Sequence, residues 1–516
     1  MEKCEEREAD MNMAEGQRFE NKRKQEEVIG KSGPGKEKRV AVRGKGRMVQ
    51  EKDEIIREKN RLDKEKRGIV KGKSRSDKEK SEIIRGKSRS DKEKGETVRE
   101  KSKSDKEKRG IVREKNRPDR EKNKAIIGKV GADQKQSDLC SIFPLCGGCQ
   151  YLNLSYEEQL KMKQNQLQKL LGYFCRVYPI VGMEVPFHYR NKVHAVFGYQ
   201  KGQPVTGVYQ EGTHNLLPVE ECRIEDKKAA EVIRTIRELV KSFKIRTYDE
   251  DRGVGLLRHV LIRRGFSTGE LMVVLVTASQ MFPSKNHFSK ALLKRHPEIT
   301  TIVQNINSRD TSMVLGEREQ VWFGKGYIED ELCGCRFRIS SRSFYQINPI
   351  QTEKLYKKVM ELAGLTGQET LLDAYCGIGT MGIIAAPNAG QVIGVELNQD
   401  AVGDAVINAR CNHISNIRFY CKDATKFMMQ MAAKGQQVDV VLMDPPRTGS
   451  TEEFIQAVRA VKAKRVVYVS CGPDTLARDL KEFQRMGYQA EGAWGYDLFP
   501  FTRHVEVIIM MQLVEK

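Results

Sequence analysis

Three cysteines lie within ten residues, at Cys140, Cys146 and Cys149, and two glycines separate the last two. Glycines let the backbone turn tightly, so the three thiols could bind one metal ion or cluster. A fourth ligand would come from Cys175 or Cys222. The spacing matches neither the paired cysteines typical of zinc sites nor the run of a bacterial ferredoxin. Thiolates favour an iron–sulfur cluster or zinc over harder metals, and cysteines that bind no metal are the third alternative.

A glycine-rich turn between a predicted strand and a predicted helix indicates a nucleotide-binding site. The segment ETLLDAYCGIGTMGIIAA places Asp373 at the end of the strand and Gly377 and Gly379 in the turn, where a ligand could lie against the backbone. A second strand, QVIGVE, ends in Glu396, whose carboxylate could accept hydrogen bonds from two ribose hydroxyls. The turn lacks the third glycine of the dinucleotide fingerprint. It therefore favours a class I S-adenosylmethionine methyltransferase, with a dehydrogenase as the alternative.

The next predicted strands bring further side chains to the same edge of the sheet. The third strand, IRFYC, is followed by Asp423, which could bind the adenine, and the fourth leads into Asp444-Pro-Pro-Arg447. Enzymes that methylate an exocyclic base amine have an aromatic residue where Arg447 stands. The fifth strand, RVVYVS, is followed directly by Cys471. A cysteine beside the cofactor could act as a nucleophile, and a small buried residue is the alternative interpretation.

Between the two regions, short segments of residues 189–339 alternate apolar and polar side chains, which predicts an antiparallel sheet with one helix near residues 228–243. Helices are also predicted near residues 155–171 and 349–365. Basic residues interleave with the strand pattern, as in the segment YRNK that starts at Tyr189. They indicate either an RNA-binding face or the ordinary solvated face of a sheet.

The 516 residues include 91 Lys and Arg against 70 Asp and Glu, and the excess is concentrated near the N-terminus. Residues 1–130 contain 43 basic and 28 acidic residues, with Phe19 as their one aromatic residue. A 14-residue repeat occurs five times there, starting at Asn60, Ser74, Ser88, Ser102 and Asn116. Such a segment buries too little apolar surface to fold. We expect a disordered tail, either a solvated segment or a basic arm that attracts RNA phosphates.

Hydropathy excludes several classes of protein. No apolar run is long enough to span a membrane, and the N-terminal residues do not resemble a secretory signal. We therefore expect a cytoplasmic protein with no membrane partner. In that reducing compartment its 12 cysteines would be metal ligands, nucleophiles or small buried residues rather than disulfides.

From residue 140 to about residue 513, the chain resembles the RNA uracil-5-methyltransferases. Six motifs occur in the order seen in that family: Cys140-x5-CGG-Cys149, FYQIN (Phe344–Asn348), DAYCGIGT, MDPPRTG, VSCGPDTLARD and FPFTRHVE (Phe499–Glu506). The resemblance implies S-adenosylmethionine-dependent methylation of carbon 5 of a uridine. Relatives with the cysteine motif typically act on 23S ribosomal RNA, and relatives that act on transfer RNA generally lack it. Transfer RNA as the substrate and a non-catalytic RNA-binding role are the alternatives.

The resemblance also implies roles for individual residues. In the family, the cysteine after the fifth strand attacks the base and the glutamate of the last motif removes a proton, and these positions correspond to Cys471 and Glu506. The other implied residues are Gln346, Tyr375, Glu396 and Asp444 for S-adenosylmethionine, and Cys140, Cys146, Cys149 and Cys222 for a 4Fe–4S cluster.

These features together predict an α/β protein in three parts. Residues 1–135 would form the disordered charged tail, residues 136–340 a β-rich RNA-binding domain with the four-cysteine cluster, and residues 341–516 a class I (Rossmann-like) methyltransferase domain. We expect a monomer that acts on RNA. A cytosine methyltransferase acting on DNA is excluded because its cysteine follows a proline at the fourth strand, unlike Cys471.

Overall fold

The computed structural model describes residues 140–311 and 313–514, which belong to one compact unit. The expected tail of residues 1–135 lies outside the described residues. One sheet of eight strands and one of seven organise the described part of the chain. Within it, none of the helices has both the length and the apolar character needed to cross a membrane.

The first described helix and strand belong to the eight-stranded sheet. α1 (Tyr156–Leu171) begins with a capping box, in which Ser155 and Glu158 satisfy each other's backbone N–H groups. β1 (Arg176–Val181) follows and pairs in parallel with residues 488–496, near the other end of the chain. The segment from α1 to β1, which the sequence assigned to the domain of residues 136–340, therefore packs with the C-terminal sheet.

The seven-stranded sheet comes next in the chain and matches the predicted β-rich segment. Its strand order is β4-β3-β2-β5-β6-β7-β8, antiparallel except for the parallel pair β6 and β7. Its elements are β2 (Lys192–Gln200), β3 (Gln203–Tyr209), β4 (Leu216–Pro218), α2 (Lys227–Ser242), β5 (Leu257–Arg264), β6 (Leu271–Thr277), α3 (Lys285–Arg295), β7 (Ile299–Ile306) and β8 (Arg318–Phe323).

The two faces of this sheet pack against different partners. Ile262, Val273 and Leu275 face a core formed with the two helices α2 and α3. Their neighbours on the opposite face, such as Leu261 and Val274, pack toward the hairpin of β9 (Tyr327–Leu332) and β10 (Cys335–Ser340). Strand residues alternate between faces, so fully apolar strands are expected where both faces are covered.

The eight-stranded sheet has the order β1-β16-β17-β15-β14-β11-β12-β13. β11 to β15 are parallel, whereas β17 is antiparallel to both β15 and β16. Its remaining elements are α4 (Pro349–Ala363), β11 (Thr370–Ala374), α5 (Thr380–Ala385), β12 (Gln391–Glu396), α6 (Gln399–Cys411), β13 (Ile417–Cys421), α7 (Ala424–Ala433), β14 (Val440–Met443), α8 (Glu452–Ala460), β15 (Arg465–Ser470), α9 (Pro473–Arg485), β16 (Tyr488–Tyr496) and β17 (Glu506–Leu513).

Both faces of the parallel strands are buried, which explains their continuous apolar sequences. Leu371 packs into the core that also contains Leu261 and Val274 of the seven-stranded sheet. Leu372 faces the opposite core, with Leu167 of α1. One hydrophobic core therefore joins the two sheets.

Candidate active site and cysteine cavity

The carboxyl ends of β14 and β15 and the start of β17 meet at one edge of the eight-stranded sheet. Ser470 is opposite Val507 across the antiparallel strands β15 and β17. The adjoining residues, Cys471 and Glu506, are therefore brought together at this edge. Asp444 directly follows β14, which pairs with β15, so Asp444 lies at the same edge as Cys471 and Glu506. The strand register thus brings a thiol and two carboxyls to the same edge.

The electrostatics show that these side chains interact. Burial, and then the Asp444 carboxyl, raise the pKa of Glu506 to about 8, and the guanidinium of Arg447 opposes this shift. Burial also raises the pKa of Asp444 to about 7. For Cys471, burial raises the pKa to about 11, Glu506 and Asp444 add to the shift, and Arg447 lowers the pKa. A buried carboxyl that titrates near neutral pH is suited to accept a proton during a reaction.

Three of the four cofactor residues predicted from the sequence line one cleft beside this edge. Gln346, Tyr375 and Asp444 border the cleft together with the glycine turn at Gly377. The backbone of Tyr375 has a φ of +64°, and its ring stacks on Phe454 at 5.3 Å between centroids. The left-handed turn brings backbone to the surface of the cleft, where a ligand can contact it.

The fourth predicted residue, Glu396, is bound to the same turn. One of its carboxylate oxygens accepts a hydrogen bond from the N–H of Gly377 at 3.2 Å, and the other accepts from the N–H of Asn398 at 2.8 Å. Gly379 has a φ of +83°, and a Cβ there would lie 2.9 Å from the ring of Phe419. A larger residue at Gly379 would therefore displace the turn.

Asp373, in β11, stabilises the turn through a hydrogen bond to the helix that follows it. It is fully buried, and its Oδ2 accepts a hydrogen bond from the N–H of Gly382 at 2.8 Å. Its Oδ1 has no hydrogen-bond partner, and burial raises the pKa of the carboxyl to about 7. Asp423, suggested for the adenine, caps α7 by accepting from the N–H of Lys426 at 2.9 Å.

The loop that carries Arg447 is held by α9. The carboxylate of Asp479 accepts hydrogen bonds from the N–H of Ser450 at 2.7 Å and from the hydroxyl of Tyr468 at 2.8 Å. Arg478 donates to the carbonyl oxygens of Thr448 and Ser450, each at 2.9 Å. We did not predict this support from the sequence, although Arg478 and Asp479 lie within the motif VSCGPDTLARD.

A buried ion pair holds the loop that leads to Glu506. Nζ of Lys163 lies 2.7 Å from Oδ1 of Asp497, with both side chains excluded from solvent. Tyr156 donates a hydrogen bond to the other oxygen of Asp497 at 3.0 Å. The sequence did not predict this pair. The pattern that could have indicated it is the position of Lys163 four residues from both Gln159 and Leu167, on the buried face of α1.

Four cysteines line one cavity of about 130 Å³ between the segment after residue 140 and the seven-stranded sheet. They are Cys140, Cys146, Cys149 and Cys222. Burial, and then the thiol of Cys146, raise the pKa of Cys149 to about 12, and Arg190 opposes the shift. Cys175, the alternative fourth ligand, instead packs beside the core of the eight-stranded sheet.

The chemistry of this cavity suits a soft metal or cluster, because its donors are thiols. Two buried nitrogens on its wall, Nε of Arg190 and Nε2 of His194, have no hydrogen-bond partner. Within the described ranges, however, no group of three or more His, Cys, Asp or Glu side chains is arranged as a metal site. The structure therefore shows four cysteines around one cavity without a formed site.

Comparison with known proteins places the chain in a family. The model of the tRNA (Uracil-5-)-methyltransferase family matches residues 155–514. The chain is 42% identical over 379 residues to an uncharacterized RNA methyltransferase of Halalkalibacterium halodurans, covering 72% of this chain and 83% of the relative. A similar protein of Clostridium acetobutylicum is 39% identical over 392 residues, covering 75% and 85% of the two chains.

A solved structure shares the fold. The tRNA (uracil-54, C5)-methyltransferase of Pyrococcus abyssi, in complex with S-adenosyl-L-homocysteine, superposes with a TM-score of 0.60 and is 28% identical. The match covers 71% of this chain and 86% of that one. The predicted α/β methyltransferase fold and the predicted cofactor, S-adenosylmethionine, are thereby confirmed. The chain belongs to the tRNA (uracil-5-)-methyltransferase family and is an enzyme that uses S-adenosylmethionine to methylate carbon 5 of uracil in RNA.

Proposed function

We propose that this enzyme methylates a uridine of 23S ribosomal RNA through a covalent bond between Cys471 and carbon 6 of the base. The observation that carries the proposal is the meeting of Cys471, Glu506 and Asp444 at the sheet edge beside the cofactor cleft. This arrangement supports a nucleophile, a general base and a methyl donor that act on one base.

The reaction explains why both a thiol and a carboxylate are needed. Carbon 5 of uracil is a weak nucleophile, so the thiolate of Cys471 first adds to carbon 6 and converts the ring to an enolate. Carbon 5 then attacks the methyl group, the bond from that methyl to the sulfonium sulfur breaks to leave S-adenosylhomocysteine, and carbon 5 carries both a methyl and a hydrogen. Glu506 removes that hydrogen as a proton, and the bond to the Cys471 sulfur breaks by β-elimination.

Arg447 fits this order of reaction steps because its guanidinium lowers the pKa values of both Cys471 and Glu506, which burial raises. Its exposed position allows it to contact the RNA as well. The target base must leave any stack to reach the edge, as in other enzymes that modify bases.

We assign the cofactor to Gln346, Tyr375, Glu396 and Asp444. S-adenosylmethionine supplies an electrophilic methyl group on a sulfonium. Glu396 has acceptor capacity left beyond its two backbone donors, so its carboxylate can bind ribose hydroxyls. Asp444 borders both the cleft and the Cys471 edge, which supports a place for it beside the reacting groups.

We further propose that Cys140, Cys146, Cys149 and Cys222 hold a 4Fe–4S cluster. The common cavity of the four thiols supports this proposal, as do the unpaired nitrogens of Arg190 and His194, which suit an anionic group. Methyl transfer moves no net electrons, so the role of the cluster is structural. It would join the segment after residue 140 to the segment at Cys222.

The choice of RNA is tested by direct competition. The cysteine cavity favours 23S ribosomal RNA, whereas the Pyrococcus abyssi relative favours transfer RNA as the second candidate. Purified enzyme is incubated with 23S fragments and with transfer RNA transcripts, and 5-methyluridine is mapped by mass spectrometry. Methylation of ribosomal RNA alone is expected. We further propose that the enzyme is cytoplasmic and monomeric. Methylation of transfer RNA alone would overturn the assignment.

A further inference from the structure

Phe501 has an unusual backbone for a bulky residue. It lies in the loop between β16 and Glu506, and its φ is +66°. A residue other than glycine rarely adopts this left-handed backbone conformation, because its Cβ crowds the backbone carbonyl oxygen. Such a conformation persists only where the surrounding contacts hold it.

The contacts that hold its backbone come from the N-terminal part of the fold. The N–H of Phe501 donates to Oε1 of Gln159 at 2.9 Å. Its carbonyl oxygen accepts from the N–H groups of Gln150 at 2.9 Å and Tyr151 at 3.0 Å. Arg503, two residues later, donates its own N–H to Oε1 of Gln150 at 3.2 Å. Gln150 directly follows Cys149, so the loop is bound to the segment that carries the cysteines.

The ring of Phe501 makes a second connection to the same segment. It is 4% exposed and stacks on Phe187 at 4.9 Å between centroids. It belongs to a small apolar core with Leu152, Met183, Tyr189 and Ile224. Cys140, Cys149 and Cys222 pack against this core. Three of the four cavity cysteines therefore contact the core that fixes Phe501.

We propose that Phe501 is a positioning residue through which the cysteine segment, residues 140–151, places Glu506. The chain is short between the two, with four residues separating Phe501 from the first residue of β17. Earlier in the loop, Asp497 is paired with Lys163, and the carbonyl oxygen of Pro500 accepts a hydrogen bond from the hydroxyl of Tyr189 at 3.1 Å. The hydrogen bonds at Phe501 and Arg503 lie nearer to Glu506, and Gln150 and Tyr151 of the cysteine segment make them. This inference rests on the proposed role of Glu506.

The test separates the two chemical steps. Phe501→Ala removes the ring, so Glu506 loses its position while Cys471 keeps its own. In single-turnover reactions with RNA and S-adenosylmethionine, we expect release of product to slow about tenfold to a hundredfold, so that a methylated RNA–protein adduct accumulates. Binding of S-adenosylmethionine stays unchanged. Phe501→Leu, which keeps most of the buried volume, restores release.

The matched control is Phe288→Ala, the same truncation of a fully buried ring in the core of the seven-stranded sheet. It lowers stability without accumulating the adduct. Equal adduct fractions in Phe501→Ala and wild type, or in Phe501→Ala and Phe288→Ala, would overturn the proposal.

A second measurement is independent of the reaction. Hydrogen exchange of the peptide spanning residues 499–505 is compared in wild type, Cys149→Ser and Cys175→Ser. Faster exchange is expected in Cys149→Ser alone, since Cys175 lies outside the cavity. Unchanged exchange in Cys149→Ser would overturn the coupling. If wild type forms no covalent adduct with RNA that contains 5-fluorouridine, the proposed function fails, and the exchange result still decides whether the cysteine segment holds the loop.

Discussion

Cys471 and the cysteines of the cavity are partly buried thiols in very different surroundings. The pKa of Cys471 is raised to about 11, and those of Cys149 and Cys222 to about 12, in each case mainly by burial. The charged neighbours of Cys471 are two carboxyls and a guanidinium, whereas Cys149 has two other thiols among its neighbours. The carboxyls of the first arrangement suit proton transfer, and the grouped thiols of the second suit metal binding.

The two sites also differ in how they are built. Cys471 follows a central strand that pairs with β17, the strand that begins with Glu506. The cavity cysteines lie on irregular segments outside the strands. A thiol at a strand end keeps its position without a ligand, whereas irregular segments that carry thiols are stabilised by a metal or cluster that those thiols bind. The difference predicts that changes at the first site alter chemistry and changes at the second alter stability.

Cys471→Ala should have the largest effect. Methyl transfer is expected to be abolished, because no thiolate remains to add to carbon 6, while S-adenosylmethionine still binds. Incubation with RNA containing 5-fluorouridine, followed by denaturing electrophoresis, measures the covalent adduct. An adduct in the alanine variant would assign the nucleophile to another residue.

Glu506→Gln should slow the reaction by about 10²–10⁴, the usual cost of removing a general base. The first covalent bond and the methyl transfer still occur, so a methylated adduct accumulates. Mass spectrometry of the trapped complex distinguishes it from the unmethylated adduct. Normal turnover without accumulation would move the base to a different group.

Cys149→Ser should lower stability and metal content, with a smaller loss of activity than Cys471→Ala. Anaerobically purified wild type is expected to contain about four irons and four sulfides per chain. Cys175→Ser is the matched control and should keep them, because Cys175 lies apart from the cavity. Zinc without sulfide in the wild type would contradict the cluster type.

Arg447→Met should have the smallest effect, a shift in pH dependence. The guanidinium lowers the pKa values of Glu506 and Cys471, so its loss raises both. The carboxylate form of Glu506, present above about pH 8 in the wild type, then requires a higher pH. The rise of kcat/KM with pH is expected to move upward. A profile that stays in place or moves to lower pH would separate Arg447 from this site.

The sequence predicted the parts of the molecule in which one element carries one chemical group. Glu396 is the last residue of an apolar strand, Asp444 and Cys471 each directly follow one, and the ends of parallel strands meet at one edge. The fold was predictable on this basis, whereas methylation of carbon 5 of uracil was predicted from the resemblance to the family. The four-cysteine group depended on resemblance, since spacing alone left Cys175 and Cys222 equivalent.

Other features could not be predicted, because their partners are remote in the chain. Lys163 and Asp497 are 334 residues apart, and no local pattern joins them. The hydrogen bonds from Gln150 and Tyr151 to Phe501 also involve backbone groups, which leave no trace in residue type. The pairing of β1 with β16 could not be predicted for the same reason, because the two strands are far apart in the chain.

That pairing has a consequence for how the protein can be divided. β1 precedes the seven-stranded sheet in the chain and β16 follows it, so the seven-stranded sheet is an insertion within the methyltransferase fold. A fragment that begins at residue 341 would lack β1 and leave β16 as an open edge, which invites association with other chains. During synthesis, the eight-stranded sheet is completed only when its last strands emerge, long after β1 has been made. A circular permutant that starts within the insertion and links the segment after β17 to the segment before α1 would therefore keep the catalytic sheet intact, whereas a simple cut at residue 340 would not.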